Sequence, residues 1–315
     1  MKKLRIFGFE TKLSLIVALT ICASIIIFRN EFVSGILISR DLLTRQTRSY
    51  SFKMGMSTLR DRHERQRRQE EIAKVLRLIT SEPQIGIDCY QYESERIWIP
   101  KGDLNDLAQV LTEQEQSIYS HDSCRVKPGD IVLDAGAHVG LWSRRALALG
   151  ASRVIAIEPV PTTIECLQRN LEGEIKAGKV TIYPKGVWNE DDFLEMTLYP
   201  GGSIRDGFIM NHKDLPSRKQ KLPLTTIDRI VKELGLSQVN FIKMDIQGSE
   251  RQALAGAAET IRRFHPGMAI SVYHLQDDCT VIPRVIRLAW PECHQACGQC
   301  FYQGGQIKPE VYFFF

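Results

Sequence analysis

The sequence predicts an α/β protein with a Rossmann-like, mostly parallel sheet and an antiparallel strand at its C-terminal end. Three observations support this fold class. From residue 129 onward, short apolar runs alternate with stretches of helical periodicity, which is typical of parallel strands joined by crossover helices. The apolar run at 130–134 ends in a glycine-bearing turn, as in nucleotide-binding folds. The final "EVYFFF" has no helical stretch between it and the apolar piece near 299–302, so we expect an antiparallel strand there.

The elements of this domain, residues 129–315, follow from the spacing of its apolar residues. The predicted strands lie at 130–134, 153–158, 179–183, 240–245 and 268–273, and the predicted helices near 140–149, 161–173, 225–235 and 249–263. The polar segment 200–222 interrupts the alternation. We interpret it as a cover over an acceptor site, because long loops in compact domains are often functional, with a disordered excursion as the alternative.

The N-terminal region, residues 1–38, is predicted to contain a membrane helix. Residues 13–28 carry no charge and are bracketed by Lys12 and Arg29. Sixteen residues fall short of a hydrocarbon core of roughly 30 Å, but snorkelling basic ends close the gap. A cleaved signal peptide has a similar pattern, yet no small-x-small cleavage site follows. We therefore favour an uncleaved single-pass anchor, whose orientation the balanced flanking charges do not reveal.

Two further segments precede the main domain. Residues 39–83 are Arg-rich, with apolar positions at helical spacing up to Pro83, and are interpreted as a basic helical stalk. Residues 84–128 are predicted to form a small α/β cap with strands around "IGIDCY" and "RIWIP" and a helix through "DLAQVLTEQEQSIY". The composition, 43% hydrophobic and 25% charged, excludes global disorder, and a net charge of +4 gives no reason to expect a nucleic-acid partner.

The eight cysteines do not indicate a disulfide scaffold, and they favour a reducing compartment. Cys293, Cys297 and Cys300 have a C-x3-C-x2-C spacing that is found in iron–sulfur sites. Here the motif falls at the final hairpin, and a zinc site would need a fourth ligand, so we interpret these cysteines as structural and predict no metal.

The turn after the first strand determines which nucleotide the domain holds. Asp134 ends that strand, Gly136 and Gly140 allow a close backbone approach, and Glu158 ends the next strand where a ribose diol would lie. A nicotinamide dinucleotide places its pyrophosphate over the helix N-terminus, where a bulky His-Val pair stands in this chain. Asp134 would repel a pyrophosphate but suits the cationic methionine end of S-adenosylmethionine. A methyl donor is therefore the favoured cofactor.

The chain resembles FkbM-type methyltransferases over residues 128–315. The blocks "DAGAHVG", "AIEPVP", "TTIDRI", "FIKMDIQGSERQALAGAAETI" and "PGMAISVYH" follow in that family's order and spacing. The resemblance implies a class I methyltransferase fold and methylation of a hydroxyl, commonly on a sugar or polyketide. It also matches Asp134, Gly136 and Gly140 to the family's donor-binding turn and Glu158 to its ribose-binding acid. Two positions depart from the family pattern, His138 in place of Asn and Gln247 in place of Glu.

Two residues at strand ends are the candidate catalytic groups. Asp245 is interpreted as a base, a ligand for the acceptor hydroxyl or a contact to the cofactor amine, with helix capping as the structural alternative. His274 ends the next strand, and an imidazole near its free pKa is a natural general base, although a hydrogen-bonded structural histidine is the commoner case.

Together these features predict a membrane-anchored, S-adenosylmethionine-dependent O-methyltransferase that acts on a small-molecule or glycan acceptor. We expect its catalytic domain on the cytoplasmic side, where the donor is made. Two alternatives stay open: a non-catalytic membrane adaptor with a methyltransferase fold, suggested by Gln247 and the basic stalk, and, less favoured, a nicotinamide-dependent oxidoreductase.

Overall fold

The computed structural model of the chain describes residues 52–209, 216–303 and 306–315. The predicted anchor at 13–28 lies outside these residues. No described helix is both long enough and apolar enough to cross a membrane. Described residues up to 62, with those between 301 and 308, belong to a smaller unit, and residues from 63 to 300, with 309–315, belong to the larger unit that carries the cleft.

The segment before the main domain contains two helices and three strands. They are α1 Phe52–Val75, β1 Arg77–Glu82, β2 Ile87–Tyr92, β3 Glu95–Pro100 and α2 Leu104–Gln116. The strands form an antiparallel sheet in the order β1-β2-β3. The predicted stalk helix up to Pro83 is wrong in its last part, because the chain leaves the helix after Val75 and Thr80 pairs with Cys89 of β2. The cap sheet therefore begins at β1 and not at residue 84.

The main domain is built on a seven-stranded sheet flanked by helices. Its strands are β4 Ile131–Ala135, β5 Arg153–Ile157, β6 Val180–Tyr183, β10 Phe241–Met244, β11 Gly267–Ser271, β12 Gln295–Cys297 and β15 Val311–Phe314. Its helices are α3 Leu141–Ala148, α4 Pro161–Asn170, α5 Glu172–Lys176, α6 Ile227–Glu233, α7 Glu250–Ala255, α8 Ala258–Phe264 and α9 Asp278–Ala289. The remaining strands are β7 Gly186–Val187, β8 Asp192–Leu198, β9 Arg218–Thr225, β13 Cys300–Gln303 and β14 Gln306–Pro309.

The order of the large sheet is β12-β15-β11-β10-β4-β5-β6. Strands β4, β5, β6, β10 and β11 are parallel, and β15 runs antiparallel to β11. The chain proceeds outward from β4 through β5 to β6 and then returns to place β10 on the other side of β4, so the strand order reverses there. The predicted α/β class and the antiparallel terminal strand are confirmed, and a ligand is expected at the carboxyl ends of β4 and β10.

Alternating side chains of the central strands serve two separate cores. Leu133, Ile155 and Ile242 are buried on one face of the sheet, whereas Val132 and Val154 are buried on the other. This period of two, repeated on neighbouring parallel strands with helices on both faces, explains why the strands read as short continuous apolar runs.

Three features of the main domain were not predicted. Strand β9 occupies the end of the predicted loop 200–222 and joins β7 and β8 in a small second sheet. Helix α9 encloses Pro283 and was missed. The helix predicted at 249–263 is interrupted at Gly256, where a Cβ atom would lie 2.1 Å from the Trp188 carbonyl oxygen. Of the motif cysteines, Cys293 is buried in a core, as the structural interpretation expects.

Candidate active site

A cleft opens at the carboxyl ends of β4, β5 and β10, where the strand order reverses. Its empty volume is about 1050 Å³, part of it open to solvent. The wall from the cap and α3 contains Gln109, Val110, Glu113, Gln114, Tyr119, Leu141 and Trp142. The strand ends contribute Gly136, Ala137, His138, Ile157, Glu158, Pro159, Lys243, Asp245, Ile246, Gln247, Ser249 and Tyr273. The opposite wall contains Lys185, Gly186, Val187, Met196, Ser203, Ile204, Asp206 and Phe208.

The floor of the cleft is the turn after β4, which requires a glycine at its first position. Gly136 has a φ of 78°, and a Cβ there would lie 1.9 Å from the carbonyl oxygen of Asp245 at the tip of β10. The amides of Gly136 and Ala137 both donate to the carbonyl oxygen of Ile157. The ends of β4, β5 and β10 are thus brought together around one residue without a side chain.

Asp134 lies beneath the cleft and not in its wall. Its side chain is fully buried, accepts a hydrogen bond of 2.7 Å from the Ser143 hydroxyl and lies 3.1 Å from Lys243 Nζ. Lys243 is its register partner on β10 and also donates to the carbonyl oxygen of Gly136 at 2.7 Å. The sequence-based proposal of a direct contact between Asp134 and the methionine end is not supported by these contacts. Asp134 instead fixes the lysine that supports the turn.

Gly140 also lies behind the cleft wall. It precedes α3 with a φ of 88°, and a Cβ there would lie 2.5 Å from Leu167 and 2.8 Å from Leu171. The absence of a side chain therefore allows the start of α3 to pack against α4. The contact with the donor that the sequence predicts for Gly140 stays a prediction, and the structure shows its place in the packing of the two helices.

Glu158 stands in the cleft wall where the sequence predicts it. One carboxylate oxygen accepts from the His138 amide at 3.1 Å and the other from the Val160 amide at 3.0 Å. Burial raises the pKa of this carboxyl to about 7. Each oxygen keeps a lone pair beyond its backbone donor, so the group is fixed in place and can still accept from a vicinal diol.

His138 continues the turn from a left-handed backbone conformation, with a φ of 50°. Its Nε2 lies 2.6 Å from the Ser203 hydroxyl across the cleft. Burial, aided by Lys243, lowers the pKa of the imidazole to about 4, so the ring is neutral at physiological pH. The second departure from the family pattern, Gln247, is likewise left-handed, with a φ of 54°. Both departures thus fall at positions that normally favour Asn or Gly.

Asp245 reaches the cleft from the end of β10 and is held by the cap. The Tyr119 hydroxyl donates to its Oδ2 at 2.5 Å. Burial raises the pKa of Tyr119 well above its usual value, so the phenol keeps the proton that it donates. The capping alternative for Asp245 finds no support, since the following helix α7 has Ser249 at its N-cap.

His274 lies behind Asp245, with its side chain 97% buried. Its Nε2 is 3.4 Å from Asp245 Oδ1, and its Nδ1 is 3.0 Å from Glu250 Oε1, while Glu250 itself is fully buried. Burial alone would lower the pKa of His274, but Glu250 and Asp245 raise it to about 9. The ring therefore pairs with both carboxylates at neutral pH, and its role as a general base stays a prediction.

The cap and the second sheet meet above the cleft through a short helical turn. The Ser203 amide donates to Asp103 and the Ile204 amide to Asp106, each at 3.2 Å, and both carboxylates lie at the start of α2. This turn at Ser203–Arg205 belongs to the segment predicted as an acceptor cover, and its described part does line the cleft. Residues 210–215 of that segment lie outside the described chain.

Sequence reasoning missed the contribution of the cap. Tyr119 and Glu113 come from a segment without a recognisable motif, and only their place in or just after the amphipathic helix α2 could have drawn attention to them. Lys243 was visible as the residue that shares a strand face with Asp245, but its partner Asp134 could be recognised only once the register of β4 and β10 was known.

A family model described as "Methyltransferase FkbM domain" matches residues 134–295, just over half of the chain. The chain belongs to the FkbM methyltransferase family. As an FkbM-family domain it is an S-adenosylmethionine-dependent methyltransferase, and this displaces the nicotinamide alternative. The resemblance found in the sequence is thereby confirmed.

The matches between this FkbM-family chain and its relatives cover only part of each protein. The 31-O-demethyl-FK506 methyltransferase FkbM of Streptomyces tacrolimicus is 27% identical over 205 residues, which cover 52% of this chain and 76% of that protein. Methyltransferase 1 of Beauveria bassiana is 28% identical over 145 residues, covering 40% and 57% of the two chains. A crystal structure of methyltransferase FkbM from Methylobacillus flagellatus KT has 22% identity and a TM-score of 0.47, covering 68% of this chain and about half, 53%, of that one.

The residues of the cleft fit S-adenosylmethionine. Gly136 has no side chain, so the turn lies directly against the backbone carbonyl oxygen of Asp245 at the floor of the cleft. Glu158 holds two oriented carboxylate oxygens in the cleft wall, and Val187, Met196 and Phe208 give the cleft an apolar surface.

Proposed function

We propose that this chain methylates a hydroxyl group of a small-molecule or glycan acceptor. The observation that carries the proposal is the position of Asp245, which lines the cleft next to Gly136 and is oriented by Tyr119. A carboxylate fixed beside the donor turn is suited to accept the proton of a weakly nucleophilic hydroxyl as it reacts.

The cofactor, when bound, supplies a methyl group on a positively charged sulfur that is open to in-line attack. The turn at Gly136 and His138 and the carboxylate of Glu158 would hold the donor. The remaining task of the protein would then be to align the acceptor oxygen and exclude water.

Asp245 is the proposed base. Its Oδ1 has no hydrogen-bond partner among the described residues, whereas Oδ2 is engaged by Tyr119. His274 lies behind Oδ1 and, as a cation, stabilises the ionised carboxylate in the resting site. Asp245 would accept the hydroxyl proton, while the bound donor would supply the methyl group and its sulfur would keep the electrons of the broken S–C bond as a neutral thioether. His274 is therefore a positioning residue that acts through Asp245.

The polar wall from the cap favours an acceptor rich in hydroxyls. Gln109 and Gln114 of α2 line the cleft with amide groups that both donate and accept. Burial raises the pKa of Glu113 to about 8, so this carboxyl keeps its proton at neutral pH and adds an O–H donor. The name of the Streptomyces relative, an O-demethyl compound methyltransferase, supports an oxygen acceptor for this family member.

A turnover experiment tests the proposal. Full-length protein is incubated with S-adenosylmethionine bearing a labelled methyl group and a glycan-containing membrane extract, and S-adenosylhomocysteine and labelled methyl ethers are measured. We expect both products with the wild type and a loss of at least about 100-fold with Asp245→Asn. Label found only on nitrogen or carbon would contradict O-methylation. Cofactor binding without turnover on any extract would instead favour the non-catalytic adaptor.

We also propose that residues 13–28 anchor the chain and that the catalytic domain faces the cytoplasm. The support is the uncharged run between Lys12 and Arg29 together with the site of donor synthesis. Alkaline carbonate extraction should leave the full-length protein in the membrane pellet and release a variant that lacks residues 1–38. Protease added to intact cells or sealed vesicles of known orientation would reveal a domain on the other side.

A further inference from the structure

One buried cluster beside the cleft has more ligand atoms than its hydrogen bonds use. Asp245, Glu250 and His274 each present one nitrogen or oxygen atom, and these three atoms lie within 4.8 Å of one another. Asp245 follows β10 and His274 follows β11, two parallel neighbours, so their side chains meet at the same sheet edge. Glu250 reaches the same point from the first turn of α7.

Several polar atoms of this cluster have no hydrogen-bond partner among the described residues. Both ring nitrogens of His274, Asp245 Oδ1 and Glu250 Oε2 are buried without a hydrogen-bond partner in the described part of the chain. His274 Nδ1 and Glu250 Oε1 are only 3.0 Å apart, yet their contact lacks hydrogen-bond geometry. His274 has only 3% of its side chain exposed, and its ring nitrogens lie 3.4 Å from Asp245 Oδ1 and 3.0 Å from Glu250 Oε1. A metal ion bound between these atoms would displace the ring proton that pairs with the two carboxylates.

Apart from His274, no basic side chain pairs with the two carboxylates in the described ion pairs. Lys243 is engaged by Asp134, and Arg251, next to Glu250 in sequence, turns to Asp278 at 2.8 Å. Glu250 is held in place by the Ile246 amide, which donates to its Oε1 at 2.9 Å. The site is thus pre-formed, anionic and secluded.

We propose that Asp245, Glu250 and His274 bind one divalent metal ion. Bond lengths of about 2.1–2.4 Å separate ligand atoms on one ion by about 3 Å when adjacent and by up to about 4.8 Å when opposite, which the present spacing matches. Two carboxylates and one imidazole suit an ion that accepts both oxygen and nitrogen ligands, such as Mn²⁺. The sequence alone predicts no metal, because the positions 245, 250 and 274 follow no recognised spacing.

The ion would serve the acceptor side of the reaction. Asp245 lines the cleft, and a cation on its buried Oδ1 would lie behind this carboxylate as seen from the cleft. It would take over the positive charge that His274 places beside Asp245 and hold the carboxylate in position for the acceptor. The inference concerns the same cluster as the proposed function, but ion binding does not depend on which atom of the acceptor is methylated.

Manganese binding to the full-length, tag-free protein tests the inference. Titration followed by the electron paramagnetic resonance of free Mn²⁺ should show one site per chain in the wild type. Glu250→Gln and His274→Asn should each weaken it at least about tenfold. Glu259→Gln makes the same chemical change on an exposed residue of the next helix and should leave the affinity unchanged. Equal affinity and stoichiometry in all four proteins, or no binding by the wild type, would overturn the site.

A second readout on the wild type does not require any variant to fold. Electron spin-echo spectra of the bound Mn²⁺ should show modulation from one directly bonded nitrogen, supplied by His274, and its absence would overturn the assignment. Mn²⁺ binding together with methyl transfer only to nitrogen or carbon would contradict the proposed function but support the metal site. Hydroxyl methylation by a protein that binds no Mn²⁺ would do the reverse.

Discussion

The phenolic hydroxyl of Tyr119 lies 2.5 Å from Asp245 Oδ2 and joins residues that are 126 positions apart in the sequence. It connects the end of the cap to the strand tip that carries the proposed base. The orientation of the base therefore depends on a segment that precedes the catalytic domain.

Replacing this tyrosine should affect turnover more than cofactor binding. In Tyr119→Phe the carboxylate of Asp245 loses a hydrogen bond to a charged group, worth about 1.5–3 kcal/mol, and with it its fixed orientation. We expect kcat to fall roughly 10- to 100-fold with little change in calorimetric affinity for S-adenosylhomocysteine. Tyr92→Phe removes a similar tyrosine–carboxylate bond, to Glu115 on the outside of the cap, and serves as the control. Equal activity of the two variants would refute the role of Tyr119.

The close approach of β4 and β10 predicts an asymmetric effect of two alanine substitutions. Gly136 and Gly178 both have positive φ, 78° and 70°, but only a Cβ at Gly136 meets another atom, at 1.9 Å. Gly178→Ala should cost only the conformational strain, about 1–2 kcal/mol. Gly136→Ala should cost more in the free energy of unfolding and abolish detectable cofactor binding, because the strand tips must separate. Chemical denaturation and calorimetry measure both effects; similar values for the two variants would contradict the prediction.

Glu158 predicts a change in how stability depends on pH. Its pKa is raised from 4.5 to about 7 by burial, so between these values the folded protein holds a proton that the unfolded chain has lost. The stabilisation is complete below pH 4.5 and is lost as the pH rises through about 7. In Glu158→Gln the loss of unfolding free energy between pH 5 and 8 should be smaller by on the order of 2–3 kcal/mol. Urea titrations at both pH values test this, and an unchanged slope would contradict it.

The buried pair of Asp134 and Lys243 predicts strong coupling between two substitutions. Lys243→Met leaves the fully buried carboxylate of Asp134 with only the Ser143 hydroxyl and should destabilise the protein by about 3–5 kcal/mol. Adding Asp134→Asn removes the unpaired charge and should restore part of that loss. A double-mutant cycle by chemical denaturation measures the coupling, and additive effects would show that the two groups do not stabilise each other.

The sequence was sufficient for the features that depend on local pattern. The strands of the parallel sheet, the turn at Gly136 and the place of Glu158 in the cleft follow from apolar periodicity and from residues at strand ends. The region between Val75 and Pro83 was misassigned because its apolar residues fit a helical spacing, whereas pairing with β2 decides the conformation.

The remaining parts of the site depend on which strands are neighbours. Asp134 was predicted to face the cofactor since it ends its strand. In the structure its carboxylate instead pairs with Lys243 of the adjacent strand in the protein interior. Likewise, the pKa of His274 is raised because the partly buried Asp245 and the fully buried Glu250 approach its ring from other elements. No single-strand pattern contains that information.

The hydrogen bonds from Ser203 and Ile204 to the start of α2 join two segments that both line the cleft, and this has a consequence for the evolution of acceptor specificity. Helix α2 lies upstream of the stretch, 134–295, that defines the family, yet it supplies four side chains to the entrance of the cleft. Exchanging α2 together with the Ser203–Arg205 turn would change the entrance of the cleft, while the part of the cleft at the strand ends would keep its shape. Such a division lets related proteins change their acceptors by exchanging α2 and its turn while they keep the domain that binds the methyl donor.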